Sequence, residues 1–327
     1  MDDLFESLID YAINHDATDI HMTLKQQLII NMRIFGQVKH YLDFDYTTGS
    51  RLLNYLKFKS AININYKLMP QTGAFHFQHN EHTYFLRLSF LPGQDFESIV
   101  IRILNNHQSL SIDDLSPIKT FTRFIRQIAS LSSGLFLVSG ATGSGKSTTL
   151  YAMIDYIIAQ GGRHIVTLED PIEMVKDGCL QIEMNDAMGI SYETTLRQIL
   201  RHDPDVIMIG EIRDERTAAL AITCALTGHL VLSTIHASNT HLVIKRLLNL
   251  GVKSTDLQDV LVGIASQKII YDHKQHKIII LPEMMIKETI NAILCEEKPK
   301  VVNTFSINAR YLVAKGYISQ ALVKGLL

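Results

Sequence analysis

Cysteine is scarce in this 327-residue chain: Cys179, Cys224 and Cys295 are its whole complement, and no C-x-x-C pair occurs. That excludes a disulfide framework and a thiolate zinc site, and it is the usage of a reducing compartment. Long apolar runs are missing too, since no stretch approaches the roughly 18 residues of a membrane-spanning helix. The opening segment, MDDLFESLIDYAINHDATDIHM, is acidic and broken by charges, so it reads as neither signal peptide nor span. Nor is there an excess of positive charge. Lysine and arginine number 31 against 33 aspartates and glutamates, a net charge of −2. Direct nucleic-acid binding is therefore not expected. No fixed-period repeat or low-complexity tract appears. What is present is an ordinary globular composition, 46% hydrophobic and 20% charged, at a length that suggests two domains. The expected location is cytoplasmic, peripheral at the inner face of the cell membrane only through partners.

Residues 3–15 have the spacing of an amphipathic helix, with Leu4, Leu8, Ile9 and Ala12 on one face. Leu28, Ile30, Met32 and Ile34 then alternate as in a strand, with Gly36 as a turn. A helix near 47–58 and strand-like runs at 74–79, 82–91 and 98–104 complete a small α+β domain over 1–105 with an antiparallel sheet. The polar stretch 106–116 reads as a linker, and Pro117 as an early position of the next helix. Over 117–327 strands and helices alternate, the mark of a parallel sheet covered on both faces. Buried strands are predicted at 134–139, 164–168, 206–209 and 230–234, and helices at 146–160, 191–202 and 216–227. Beyond 240 the pattern predicts helices near 255–270, 287–295 and 304–315, with one strand at 277–281.

The most informative stretch is LFLVSGATGSGKSTTL, residues 135–150. A strand-forming run enters Gly140-Ala141-Thr142-Gly143-Ser144-Gly145-Lys146-Ser147, with Thr148 following, and this fits the phosphate-binding pattern G-x-x-x-x-G-K-[ST]. Glycines let backbone N–H groups curl around phosphate oxygens, and the start of the following helix adds partial positive charge. Lys146 would reach the β- and γ-phosphates, and the Ser147 hydroxyl would help to hold Mg²⁺. The chain is expected to bind ATP.

Three further constellations narrow the chemistry. Residues 206–211, VIMIGE, form an apolar strand ending in Glu211, the layout of a Walker B carboxylate, with Asp205, Arg213 and Asp214 beside it. Glu169, Asp170 and Glu173 follow the second strand at the edge where open α/β sheets bind ligands. His229 and His236 bracket an apolar strand, and one such histidine can donate a hydrogen bond to a phosphate oxygen. Alone, the acidic run also reads as solvated surface and the histidines as structural.

The order of these elements resembles the secretion ATPase superfamily that powers type II secretion, type IV pili and competence pseudopili. The resemblance covers nearly the whole chain. Ala17-Thr-Asp-Ile-His-Met22 resembles that family's A-S-D-I-H element. The segments around Arg87 (LRLS) and Arg102 (VIRIL) resemble its two arginine-bearing strands, and LRQILRHDPD over 196–205 its helix leading into Walker B.

What the resemblance implies is an α/β fold, with a RecA-like P-loop NTPase domain joined to a small α+β, PAS-like N-terminal domain. Glu173 would orient or activate the attacking water, and Glu211 would support the Mg²⁺ site. His229 and His236 would contact the nucleotide, and Arg87 and Arg102 would reach the phosphates from the N-terminal domain. A ring of six copies is implied, acting on a polytopic membrane platform protein. No tetracysteine loop follows Ser266-Gln-Lys-Ile-Ile270, so no zinc is expected, and His273 and His276 lack a third ligand. The arginines of a retraction-type A-I-R-N-L-I-R-E motif are absent from ETINAILC over 288–295. The resemblance implies a form without the long extra N-terminal domain of extension and secretion motors. This short, zinc-free form is similar to the ComG-type competence pseudopilus ATPases of Gram-positive bacteria. The expected function is thus an ATPase motor assembling a pseudopilus for DNA uptake. Alternatives are a motor of another type II secretion or type IV pilus system, a nucleotide-dependent regulator with little turnover, a P-loop phosphotransferase, and a DNA-translocating ring.

Overall fold

The computed structural model describes residues 1–34, 37–63, 69–80, 82–104, 110–184, 192–272, 277–297 and 303–323. The chain divides into two compact units, Met1–Gln108 and Ser109–Leu327.

In the first unit, helix α1 (Asp2–Asn14) turns Phe5, Leu8, Ile9 and Ala12 inward, the spacing expected for one buried face. Six antiparallel strands follow: β1 (Ala17–Leu24), β2 (Gln27–Ile34), β3 (Gln37–Asp45), β4 (Gln71–His79), β5 (His82–Pro92) and β6 (Glu97–Leu104). Helix α2 (Tyr46–Lys59) lies between β3 and β4 in the chain. The sheet order is β3-β2-β1-β6-β5-β4. Leu28, Ile30 and Met32 of β2 are buried, as the alternation predicts, in one cluster with α2 residues such as Leu52 and Leu56. Strands β1 and β3 are additions to the sequence reading. β1 carries the polar residues Thr18, Asp19, His21 and Thr23 between its apolar ones, and β3 is largely exposed, so neither gives a strong apolar signal.

In the second unit, α3 (Lys119–Ala129) starts two residues after Pro117, capped at Ile118, so the proline precedes the helix rather than occupying its first turn. The sheet has seven strands in the order β13-β12-β7-β11-β10-β8-β9. Its centre is parallel: β7 (Gly134–Ser139), β11 (Leu230–Ile235), β10 (Val206–Ile212) and β8 (Ile165–Glu169). β9 (Leu180–Glu183) adds a parallel edge strand beside β8. Helices α4 (Lys146–Gln160), α5 (Tyr192–Ile199), α6 (Glu215–Leu226) and α7 (Thr240–Asn249) alternate with these strands. Every residue of β7 and β11 is buried, as strands covered on both faces must be, and two apolar clusters fill the flanks.

One expectation fails here. The predicted helix near 255–270 is helical only as α8 (Ser254–Val260), after which β12 (Leu261–Asp272) pairs parallel with β7 and antiparallel with β13 (Lys277–Ile286). A continuous apolar run has no period that separates a buried strand from a buried helix. The sheet is therefore mixed rather than purely parallel, and β13 runs five residues past its predicted end. Helices α9 (Lys287–Leu294), α10 (Phe305–Ala314) and α11 (Gln320–Val323) complete the unit. No described helix is long and apolar enough to cross a membrane.

Candidate active site

Strands β7, β11, β10 and β8 are adjacent and parallel, so the segments leaving their carboxyl ends meet along one edge. That edge is where open α/β sheets hold ligands. It brings together the phosphate loop, His236, Glu211 and the acidic run 169–173.

The loop from Gly140 to Gly145 needs its glycines for stated reasons. Gly140 has φ +150°, and a Cβ there would stand 2.4 Å from Ser144 Oγ and 2.5 Å from the backbone oxygen of Gln267. Gly143 has φ +76° with open space around it. No side chain caps the start of α4 at Gly145, the arrangement that leaves first-turn N–H groups to an anion. Lys146 Nζ donates to the carbonyls of Gly140 (3.1 Å) and Ala141 (3.0 Å). Burial pushes its pKa down, while Glu211 and Glu173 oppose that shift. Both carboxylates therefore act on this ammonium. Ser147 and Thr148 are partly exposed in the first turn of α4, and Ala141, Thr142 and Gly143 are exposed. Ser144 is buried, with no partner for its hydroxyl.

Glu211 lies where the pairing of β10 with β11 slips between Ile209 and Ile212, and such a bulge re-aims side chains at a strand end. Thr234 Oγ1 fixes the slip by donating to the Gly210 carbonyl at 2.8 Å. One Glu211 oxygen lies 2.8 Å from His236 Nε2, and the other accepts from Arg213 Nε at 2.8 Å. Arg213 also reaches Asp170 Oδ2 at 3.1 Å. Histidine, carboxylate, guanidinium and carboxylate thus tie the ends of β11, β10 and β8 into one chain.

The acidic run splits into different parts. Glu169 is buried and accepts from Thr167 Oγ1 (2.6 Å), Gln181 Nε2 (3.0 Å) and the Tyr151 hydroxyl, and burial raises its pKa. Asp170 is exposed. Glu173 is partly buried, and its backbone N–H donates to the Tyr151 oxygen at 3.2 Å. Gln181 and Glu183 of β9 anchor the same loop through Met174 O, Lys176 N and Ile172 N. Asp205 and Asp214 are structural: Asp205 accepts from His164 N, and Asp214 caps α6 through Thr217 N.

His229 is not brought to this edge. It precedes β11, and its Nδ1 lies 3.0 Å from both Thr227 Oγ1 and the Cys224 carbonyl. Six strand residues separate it from His236, about 20 Å at the usual rise. Within one chain it has no route to the phosphate loop.

Arg87 and Arg102 belong to the first unit, where they are exposed and directly opposite each other on β5 and β6. The same cross-strand row continues through Asp19 of β1 to Arg33 of β2. Asp19 is buried and lies 2.8 Å from Arg102 Nε and 3.6 Å from Arg33 Nε. Burial pushes its carboxyl up, but the hydrogen bonds from Arg102 and Thr18 prevail and hold it below its ordinary value. Sequence reasoning missed Arg33, because the register that aligns it is invisible without β1. It also missed Tyr151 and Gln181, which belong to no motif. Among the described residues no cluster of three metal-ligating side chains occurs. A phosphate-borne Mg²⁺ needs only one or two protein ligands, and the Ser147 hydroxyl and the Glu211 carboxylate are of the right hard-oxygen kind. His273 and His276 lie outside the described residues.

The sequence profile of the family described as "Type II/IV secretion system protein" matches residues 1–307. Competence protein ComGA of Halalkalibacterium halodurans is 40% identical over 265 residues, covering 80% of this chain and 76% of that protein. Competence protein ComGA of Bacillus subtilis is 36% identical over 266 residues, covering 81% and 75%. Among solved structures, the ATPase DotB of Legionella pneumophila superposes with a TM-score of 0.83 at 22% identity, covering 99% of this chain and 95% of that one, a likeness of fold. With a P-loop at the carboxyl edge of its sheet and this match along its length, the chain belongs to the type II/IV secretion system protein family, as one of its ATPases.

Proposed function

We propose that this protein is the ATP-hydrolysing motor of a competence pseudopilus, assembling pilin-like subunits for DNA uptake. The observation that carries the chemistry is the meeting of Lys146, Glu211, His236 and the Glu173 loop on one sheet edge. The biological assignment rests on the similarity to the two ComGA proteins. The Gly140–Thr148 segment would cradle the phosphates through backbone N–H groups and Lys146. Glu173 would hold the attacking water as acceptor of its proton. His236 and Arg213 fix the Glu211 carboxylate, so any service Glu211 gives the metal shares its oxygens with them. Ser147 and Glu211 would hold Mg²⁺, which when bound neutralises phosphate charge.

The unit expected over 1–105 acts as the moving N-terminal domain and the unit expected over 117–327 as the ATPase domain, with Ile112 and Leu115 of the stretch 106–116 already packed in the second unit's core. Arg87 and Arg102 supply positive charge to the phosphates during turnover, since a guanidinium stays charged and offers a planar fork. The working assembly is a homohexamer on the cytoplasmic face of the membrane, pushing on a polytopic platform protein.

The test uses purified full-length chain. Lys146→Ala should lose ATP binding. Glu173→Gln should bind ATP as tightly as wild type but hydrolyse it at least about a hundredfold more slowly, the usual contribution of a general base. Near wild-type turnover in Glu173→Gln refutes the role of Glu173. In cells, deleting the gene should abolish both pilus-like fibres and DNA uptake, and survival of both refutes the motor assignment.

A further inference from the structure

Helix α4 does more than close the phosphate loop. Five residues after Lys146, about 7.5 Å along the helix axis, it carries Tyr151, a buried residue outside every recognised motif. The phenol oxygen makes three hydrogen bonds. It donates to Glu169 Oε2, and it accepts from the backbone N–H groups of Glu173 and Met174, each at 3.2 Å. A phenol has one proton and two acceptor lone pairs, so its whole capacity is committed to the acidic loop. Burial and the neighbouring Glu169 push its pKa far up, so it keeps its proton at every working pH. The other end of the arrangement is equally fixed. Glu169 is held by Thr167 and Gln181 as well, within β8 and by β9.

We propose that Tyr151 is a positioning residue for Glu173, using the rigid first turns of α4 as a ruler between the phosphate loop and the acidic loop. One helix then carries both the lysine that meets the phosphates and the hydroxyl that sets where the Glu173 backbone begins its reach toward the attacking water. The other anchors of the loop do not touch Glu173: Gln181 holds Met174 and Lys176, and Glu183 holds Ile172. This inference rests on Glu173 being the residue that holds the water.

Tyr151→Phe removes the hydroxyl and keeps the ring. In the full-length protein it should lower kcat at least about tenfold, since small misplacements of a reacting group cost up to about a hundredfold. KM for ATP and Kd for ADP should stay within twofold of wild type, because the phosphate loop is untouched. Combined with Glu173→Gln it should cost nothing further, as the residue it positions is already disabled. In the wild-type chain, amide exchange at Glu173 and Met174 should be slow, and it should accelerate in Tyr151→Phe while β8 amides keep their rates. Wild-type kcat in Tyr151→Phe, with Glu173→Gln inactive, overturns the role of Tyr151 and leaves that of Glu173 standing. Turnover retained by Glu173→Gln overturns both. Loss of ADP binding in Tyr151→Phe, or unprotected Glu173 and Met174 amides in wild type, overturns the ruler independently of activity.

Discussion

Replacing Gly140 by alanine separates two reasons for a glycine in a phosphate loop. The first is backbone conformation: φ at Gly140 is +150°, a region side-chain-bearing residues avoid, and strain of that kind costs about 1–3 kcal/mol. The second is space. The new Cβ would meet Ser144 Oγ at 2.4 Å and the Gln267 backbone oxygen at 2.5 Å. Ser144 can turn away, since its hydroxyl has no partner to lose. Gln267 cannot, because β12 is paired on both sides by β7 and β13. Crowding against fixed backbone adds about 1–3 kcal/mol, for a total near 2–6 kcal/mol against a typical stability of about 5–15 kcal/mol. At about 2–4 °C per kcal/mol for a unit of this size, Tm should fall on the order of 10 °C. Gly143→Ala is the internal comparison. Its φ is +76° with nothing within 4 Å of a Cβ, so only left-handed strain of about 1–2 kcal/mol applies. Thermal unfolding of the two variants without nucleotide measures the difference. Equal losses of Tm would refute the claim that the Gln267 backbone crowds the loop.

In the first unit, Asp19 has a carboxyl below its ordinary value of 3.8. Its stabilising contribution is present above that value and disappears as pH falls through the lower, folded-state value. Asp19→Asn should therefore be less stable than wild type at neutral pH, with the gap closing in strong acid, as denaturant unfolding across pH would show. A gap independent of pH would refute the pairing with Arg102. At the sheet edge, Arg213→Ala removes an exposed guanidinium, so stability should change by less than about 1 kcal/mol. ATP turnover should nevertheless drop several-fold, because Glu211 and Asp170 lose the group that links them. Unchanged turnover by a coupled phosphate-release assay would refute that link.

The phosphate loop and its strand-turn-helix setting were legible because the chemistry demands glycines, a lysine and a hydroxyl at fixed spacing. The alternation in β2 and the continuous apolar runs of β7, β10 and β11 were legible for the same kind of reason, since burial on one face or two leaves a distinct pattern. β12 was not, because LVGIASQKII satisfies a buried strand and a buried helix alike, and only pairing with β7 decides between them. The site was legible by residue type and not by contact. Glu169 and Glu173 look alike in sequence, yet one is locked among three donors and the other is partly open. His229 and His236 likewise look equivalent, and the length of β11 puts them at opposite ends of the sheet. Tyr151 and Arg33 matter only through helix pitch and strand register, which no local motif encodes.

Charge explains why such a site needs help from outside itself. Asp170, Glu173 and Glu211 face the phosphate loop or its neighbours, against the cations Lys146 and Arg213, so these groups sum to one negative charge. A triphosphate adds several more. Each close like-charge pair costs about 4 kcal/mol at 4 Å in a medium of intermediate dielectric, and that is more than one lysine and a helix start can offset. Under the proposed function, tight binding therefore draws on a divalent cation, and turnover on further positive charge as it develops at the γ-phosphate.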